Sequence, residues 1–110
     1  MSDFSLQQLE AIIADRIQQG GETSWTATLA GKGLNKVAEK FGEEAIETVI
    51  AAIAQDRDAL IGESADVLFH LLVLLNMKGI TVDDVMAELA SRTRQSGLAE
   101  KASRQVAVPS

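Results

Sequence analysis

The sequence contains no cysteine and only one proline, Pro109, among its 110 residues. The absence of cysteine excludes a disulfide framework and a thiolate metal site, so stability must come from core packing and assembly. Because proline is nearly absent, little interrupts long helices, and the many Ala, Leu, Ile, Glu and Lys residues favour them. The first residues lack a basic region followed by an apolar run, so we expect no signal peptide.

Positive charge is also scarce. The net charge of −6 argues against a broad nucleic-acid surface, although a metal and a few local cations can still hold a small phosphorylated substrate. The longest apolar stretch, residues 67–75, is interrupted by His70 and is too short to span a bilayer. We therefore expect a soluble cytoplasmic protein with one all-α domain over residues 1–95 and a mobile tail over 96–110.

Apolar residues recur at helical spacing over four long segments, which predicts an all-α fold. The predicted helices cover residues 4–19, 34–54, 57–78 and 81–94. The third of these is apolar on almost every side, more than so small a monomer can bury. We therefore expect it to pack against another subunit as well.

Turn and capping residues predict where the helices begin and end. Gly20 and Gly79 mark the ends of the first and third long helices, and Thr81 with Asp84 resembles a capping box. Between the first two long helices, Thr23 or Ser24 predicts the start of a short helix. We expect a functional loop around Lys32, which has glycine on both sides.

Four carboxylates in two pairs stand out in residues 36–78. Glu44 with Glu47, and Glu63 with Asp66, have i, i+3 spacing, so each pair shares a helix face. A polar stretch between the two helices predicts an antiparallel hairpin. If the turn is centred on Gln55, Glu47 lies opposite Glu63 and Glu44 lies opposite Asp66. Four acids in one place repel one another unless a cation is bound, so the sequence predicts a metal site.

Each pair also has an ordinary interpretation. Glu43, Glu44 and Glu47 resemble the solvated row of many surface helices, and Lys40 precedes Glu44 at ion-pair spacing. Glu63 and Asp66 are harder to explain in this way. With His70 they form a narrow polar stripe on an otherwise apolar helix, where a charged carboxylate usually has a partner.

The ligand types indicate which metal to expect. A set made only of carboxylates suits Mg²⁺ or Mn²⁺ and gives zinc little to prefer. His70 follows the acids on the same stripe, but a lone histidine on an apolar helix is more often a hydrogen-bonded core residue.

Two acidic motifs resemble a known family pattern. Residues 43–47, EEAIE, and residues 63–66, ESAD, resemble the EExxE…ExxD motif of the all-α nucleoside-triphosphate pyrophosphatases, or MazG-type superfamily. Together with the lysine-rich residues 36–40, the HLLVLL run at 70–75 and SGL at 96–98, they resemble the phosphoribosyl-ATP pyrophosphatase family. One departure is Trp25, where the family usually has tyrosine, so the aromatic ring is kept and the hydroxyl is lost.

The resemblance implies hydrolysis of phosphoribosyl-ATP to phosphoribosyl-AMP and pyrophosphate, the second step of histidine biosynthesis, with Mg²⁺ or alternatively Mn²⁺. The implied metal ligands are Glu44, Glu47, Glu63 and Asp66. Either Glu43 or Glu47 would take the proton of the attacking water. The implied substrate-binding cations are Lys32, Lys36, Lys40, Lys101 and Arg104. The family's fold also implies a homo-oligomer, most simply a dimer that completes a four-helix-like bundle.

Three other interpretations make different predictions. A house-cleaning pyrophosphatase for dNTPs or noncanonical nucleotides would have the same metal cluster, so only substrate assays distinguish it. A di-iron or di-manganese bundle needs Glu-x-x-His pairs, whereas His70 follows Asp66 by four residues and Glu63 by seven. A helical dimerisation module without chemistry predicts that Glu63→Gln and Asp66→Asn leave stability unchanged or improved, with no effect of metal on melting.

Overall fold

The computed structural model describes residues 3–20 and 24–94, and these residues form five helices without a strand. The helices are α1 (Leu6–Gln19), α2 (Trp25–Gly31), α3 (Leu34–Ala54), α4 (Arg57–Met77) and α5 (Val82–Thr93). The predicted all-α fold is confirmed, and the four long helices end within two residues of their predicted limits. The tail over 96–110 lies outside the described residues.

Side-chain caps explain where the helices begin. The Ser24 hydroxyl accepts a hydrogen bond from the Ala27 amide at 3.3 Å, so Ser24 is the cap of α2. At α5 the predicted capping box is confirmed: the Thr81 hydroxyl accepts from the Asp84 amide, and the Asp84 carboxylate accepts from the Thr81 amide, both at 3.0 Å. Hydrogen bonds from Thr81 lower the pKa of the Asp84 carboxyl group, and the bond from the Thr81 backbone amide has a larger effect than the one from its side chain.

The junction between α2 and α3 is tighter than the expected functional loop. Helix α2 runs to Gly31 and α3 begins at Leu34, so only Lys32 and Gly33 connect them. Gly33 has φ +97°, a conformation that strains any residue with a side chain. The direction in which α3 leaves the junction therefore depends on this glycine.

The core lies where all five helices meet, near the end of the α3–α4 hairpin opposite its turn. Its buried members are Ile13, Leu29, Val37, Leu72, Val73 and Val82. A long-range hydrogen bond fastens the outer helices: the Glu10 carboxylate of α1 accepts from the Val82 amide of α5 at 2.6 Å. This bond supplies an acceptor to one of the free amides in the first turn of α5.

Helix α3 exposes a continuous apolar stripe on the side away from α4. Ile46, Val49, Ile50 and Ile53 follow i, i+3, i+4, i+7 spacing, and their exposed fractions are 63%, 57%, 47% and 81%. Helix α4 also exposes Ile61 and Leu68. Exposed apolar area of this extent on one helix face is typical of an interaction surface. The prediction that α4 packs against another subunit stays a prediction, and α3 offers a second exposed apolar face for such a contact.

In the described residues, α4 is also the one helix whose length and apolar composition alone would allow it to cross a membrane. The sequence prediction considered only the shorter apolar run at 67–75. A core helix of a soluble protein can also have this length and composition, and α4 packs against α3.

Candidate metal centre

The α3–α4 hairpin brings the carboxylates of the two predicted pairs into one place. One carboxylate oxygen from each of Glu44, Glu63 and Asp66 lies within 4.8 Å of the other two. The fourth acid, Glu47, lies close enough to this group for its carboxyl group to raise the pKa of both Glu44 and Glu63. The four acids therefore form one cluster, with Glu47 opposite Glu63 in the register expected from a turn centred on Gln55.

Helical geometry explains why these side chains meet. At about 100° per residue, Glu44 points in nearly the same direction as Val37 and Ala51, which are both buried. On α4, Glu63 and Asp66 share a face with buried Val73. The acids therefore interrupt the apolar seam between the two helices. Glu44 and Glu63 are half-buried in it, whereas Glu47 and Asp66 lie at its exposed edge.

The electrostatics of the cluster oppose full ionisation. Burial raises the pKa of Glu44, the carboxylates of Glu47, Asp66 and Glu63 raise it further, and His70 acts in the opposite direction. Burial also raises the pKa of Glu63, followed by the hydrogen bond and charge of Glu47 and the charge of Asp66. Glu44 and Glu63 thus each hold a proton more tightly than an isolated glutamate does, because burial and then the neighbouring negative charges disfavour their ionised forms.

His70 adjoins the acids and is 6% exposed. Its Nδ1 lies 2.7 Å from the backbone oxygen of Asp66, and its ring packs edge-on against Phe69. The other ring nitrogen, Nε2, is buried without a hydrogen-bond partner, and it is the one such side-chain atom in the described residues. The expected hydrogen-bonded core histidine is therefore found, but only one of its two nitrogens is satisfied.

The remaining predicted side chains lie around the cluster. Lys40 Nζ is 3.5 Å from Glu43, so it pairs with that residue and not with Glu44, which faces the seam. Lys36 Nζ is 3.5 Å from Glu39. Within residues 3–20 and 24–94, no lysine forms an ion pair with the four clustered acids. Glu43 likewise lies outside the cluster.

The α2–α3 junction contributes an aromatic surface. Trp25 is 55% exposed, and Lys32 Nζ lies 5.3 Å from the centre of its ring, at cation–π distance. The predicted cations Lys101 and Arg104 lie outside the described residues.

Comparison with known sequences identifies the family. The profile of the phosphoribosyl-ATP pyrophosphohydrolase family matches residues 6–93. The chain belongs to this family. The resemblance inferred from the acidic motifs is therefore confirmed.

Three similar proteins are each named phosphoribosyl-ATP pyrophosphatase. Those from Rhizobium meliloti (strain 1021) and Sinorhizobium medicae (strain WSM419) are both 57% identical over 105 residues, covering 96% of this chain and 98% of each relative. The protein from Rhizobium johnstonii (strain DSM 114642 / LMG 32736 / 3841) is 58% identical over 105 residues, with the same coverage. The match extends over nearly the full length of this phosphoribosyl-ATP pyrophosphohydrolase family member.

The clustered side chains fit a hard divalent cation. Every candidate ligand atom is a carboxylate oxygen, which Mg²⁺ and Mn²⁺ prefer. Three or four carboxylates also leave coordination positions for water and phosphate oxygens. The hairpin of this family member therefore carries an acidic cluster whose ligand atoms fit a hard divalent cation.

Sequence reasoning missed two features near this site. The unsatisfied Nε2 of His70 depends on packing between helices, which periodicity does not show. The isolation of Glu43 from the cluster had a sequence indication, because Glu43 is turned about 100° from Glu44 on the helix and has Lys40 three residues before it.

Proposed function

We propose that this chain hydrolyses phosphoribosyl-ATP to phosphoribosyl-AMP and pyrophosphate in the cytoplasm, at the second step of histidine biosynthesis, with Mg²⁺ or Mn²⁺ held by the four clustered acids. The observation that carries the proposal is the meeting of Glu44, Glu63 and Asp66 within 4.8 Å in a chain of this family. Glu44 and Glu63 are half-buried in an apolar seam, which lowers the stability of the folded protein. A polyphosphate hydrolase needs such carboxylates to bind its metal.

The reaction cleaves the α–β phosphoanhydride. The oxygen of water bonds to the α-phosphorus, and the bond to the bridging oxygen breaks, so that pyrophosphate leaves with the electron pair. A divalent cation bound here would neutralise the polyphosphate and lower the pKa of the attacking water. Glu47 suits the role of proton acceptor better than Glu43, because Glu47 touches the cluster at its exposed edge, whereas Glu43 is paired with Lys40.

Lysines on α3 provide charge for the rest of the substrate. Lys40 and Lys36 precede Glu44 by four and eight residues, which places their backbones about 6 Å and 12 Å from it along the helix axis. Their ion pairs with Glu43 and Glu39 are exposed and therefore weak, so phosphate oxygens can replace the glutamates. Lys32, two residues before the start of α3, lies with its Nζ 5.3 Å from the centre of the Trp25 ring and supplies a further cation at the junction. We assign Lys101 and Arg104 the same kind of contact.

The exposed stripe of α3 supports a second copy of the chain as partner. The four residues Ile46, Val49, Ile50 and Ile53 form a row long enough to pack against the same row across a two-fold axis. Two hairpins joined in this way pack α3 of one copy against α3 of the other, with one acidic cluster on the far side of each. This contact buries apolar area that each protomer leaves in water.

Paired assays test the proposed reaction. Hydrolysis of phosphoribosyl-ATP and of a dNTP panel is measured with Mg²⁺ and after EDTA treatment. We expect preference for phosphoribosyl-ATP, loss of activity with EDTA, and a loss of at least 10²-fold for Glu63→Gln or Asp66→Asn. Glu39→Gln changes the net charge equally and lies outside the cluster, so it should remain active. Preference for a dNTP would indicate a house-cleaning pyrophosphatase. Activity that EDTA does not affect would show that the reaction needs no metal at this site.

A further inference from the structure

The orientation of the His70 ring follows from the α-helix itself. A helical side chain leans towards the N-terminus and lies over the residue four positions earlier, which here is Asp66. The 2.7 Å contact between Nδ1 and the Asp66 backbone oxygen fixes the ring in this position. His70 therefore extends the stripe of Glu63 and Asp66 by one turn, on the face of α4 that meets α3.

This contact also determines the tautomer. A carbonyl oxygen only accepts hydrogen bonds, so Nδ1 must carry the proton and donate it. In the neutral ring Nε2 then has a free lone pair. That atom is buried, and no described side chain or backbone group donates to it. A buried acceptor without a donor is unfavourable, so a donor within the seam would stabilise the folded protein.

The neighbourhood of Nε2 indicates what the donor is. His70 is close enough to Glu44 to lower the pKa of that carboxyl group, and the clustered acids, when ionised, only accept hydrogen bonds. Water bound to a hard cation has strongly polarised O–H groups, and Mg²⁺ usually keeps several such waters. A cation held by the four carboxylates would thus bring hydrogen-bond donors to the place where the protein offers an unused acceptor.

We propose that His70 is a positioning residue of the metal centre, in which Nδ1 is fixed by the Asp66 carbonyl and Nε2 accepts a hydrogen bond from water in the coordination shell of the cation. This inference rests on the proposed metal site. It assigns His70 no direct ligation and no proton transfer. Its effect is to hold one coordinated water in a fixed orientation beside Glu44 and Asp66, as groups that hydrogen-bond to metal ligands commonly do.

Three substitutions separate the two ring nitrogens. His70→Gln places a polar amide near the position of Nε2, His70→Asn keeps an amide near Nδ1 only, and His70→Leu keeps volume without polarity. The Kd of Mn²⁺ is measured by titration of the full chain without substrate, and thermal unfolding without metal checks the fold. We expect wild type and His70→Gln to bind within about threefold of each other, and His70→Asn and His70→Leu to bind about tenfold more weakly or worse.

The outcomes distinguish the inference from its premise. If His70→Asn and His70→Leu bind Mn²⁺ as tightly as wild type, His70 is only structural and the inference is wrong while the metal site stands. If wild type itself shows no saturable Mn²⁺ binding, the metal site and this inference both fail. A merely structural role would lower the Tm of these variants without changing their Kd for Mn²⁺.

A measurement on the unmodified chain covers variants that fail to fold. His70 is the only histidine in the sequence, so ¹⁵N labelling gives one pair of imidazole resonances. A neutral ring whose Nδ1 donates to the Asp66 carbonyl should give a protonated-type shift at Nδ1 and an unprotonated-type shift at Nε2. Adding Mg²⁺ should move the Nε2 resonance towards that of a hydrogen-bonded acceptor and leave Nδ1 almost unchanged. An Nε2 resonance that saturating Mg²⁺ does not move would overturn the proposal.

Discussion

Replacing Ile53 by alanine should weaken self-association through the α3 stripe. Ile53 is 81% exposed, the largest exposed fraction in the stripe. The substitution removes three carbon groups, each worth about 0.8 kcal/mol when buried. About four fifths of that area is still to be buried at an interface, which gives about 2 kcal/mol for each copy. A two-fold axis presents the residue twice, so the dimer loses about 4 kcal/mol, or roughly 10³-fold in Kd.

Sedimentation velocity over a concentration series measures this change. Ile12→Ala is the matched control, because Ile12 is an isoleucine of α1, 38% exposed and outside the stripe. The helix content of Ile53→Ala should equal that of wild type, since the side chain makes little contact within its own protomer. A wild-type chain that stays monomeric at low micromolar concentration would refute the reasoning, as would an equal loss of association in both variants.

The remaining predictions concern the cluster and the caps. Folding raises the pKa values of Glu44 and Glu63, so the folded state binds protons more tightly than the unfolded state does. The free energy of unfolding, measured with urea in the absence of metal, should therefore fall as the pH rises from the ordinary glutamate pKa through the raised values. Saturating Mg²⁺ should reverse this loss, and Glu63→Gln should flatten the pH dependence; an unchanged slope in that variant would contradict the assignment. Thr81→Ala should cost about 1 kcal/mol and lower the Tm by several degrees in a calorimetric scan, because α5 loses its N-cap. Glu10→Ala should lower the free energy of unfolding by about 1.5 kcal/mol or more, because the Val82 amide loses its acceptor. Glu10→Gln should lower it less, because the amide side chain keeps an acceptor. Equal losses in the two variants would show that the hydrogen bond is not the cause.

The helix limits could be predicted because local chemistry determines them. Ser24 and Thr81 cap helices by bonding amides three residues later, and these patterns are visible in the sequence. The meeting of the acids could also be predicted, because a turn at Gln55 fixes the register of two long helices. Periodicity then decides which side of each helix faces the other.

Contacts between distant segments could not be predicted in the same way. The hydrogen bond from Val82 to Glu10 joins residues 72 positions apart, and no local pattern specifies it. The choice of Lys40 between Glu43 and Glu44 depends on which acid faces α4, since both spacings permit an ion pair on an isolated helix. The outward direction of the Ile46–Ile53 stripe likewise depends on which face of α3 packs against α4.

The glycine at the start of α3 has a mechanical consequence for chemistry that occurs far from it. Glu44 lies 11 residues beyond Gly33, about 16 Å along the axis of α3, and Gly33 determines the direction in which that helix begins. If a larger residue at position 33 tilted α3 by about 5°, the Glu44 carboxylate would move by about 1.4 Å. A misplacement of about 1 Å can lower a reaction rate by 10²-fold. Gly33 lies outside the acidic cluster, yet it thereby affects where the carboxylate of the proposed metal ligand Glu44 lies.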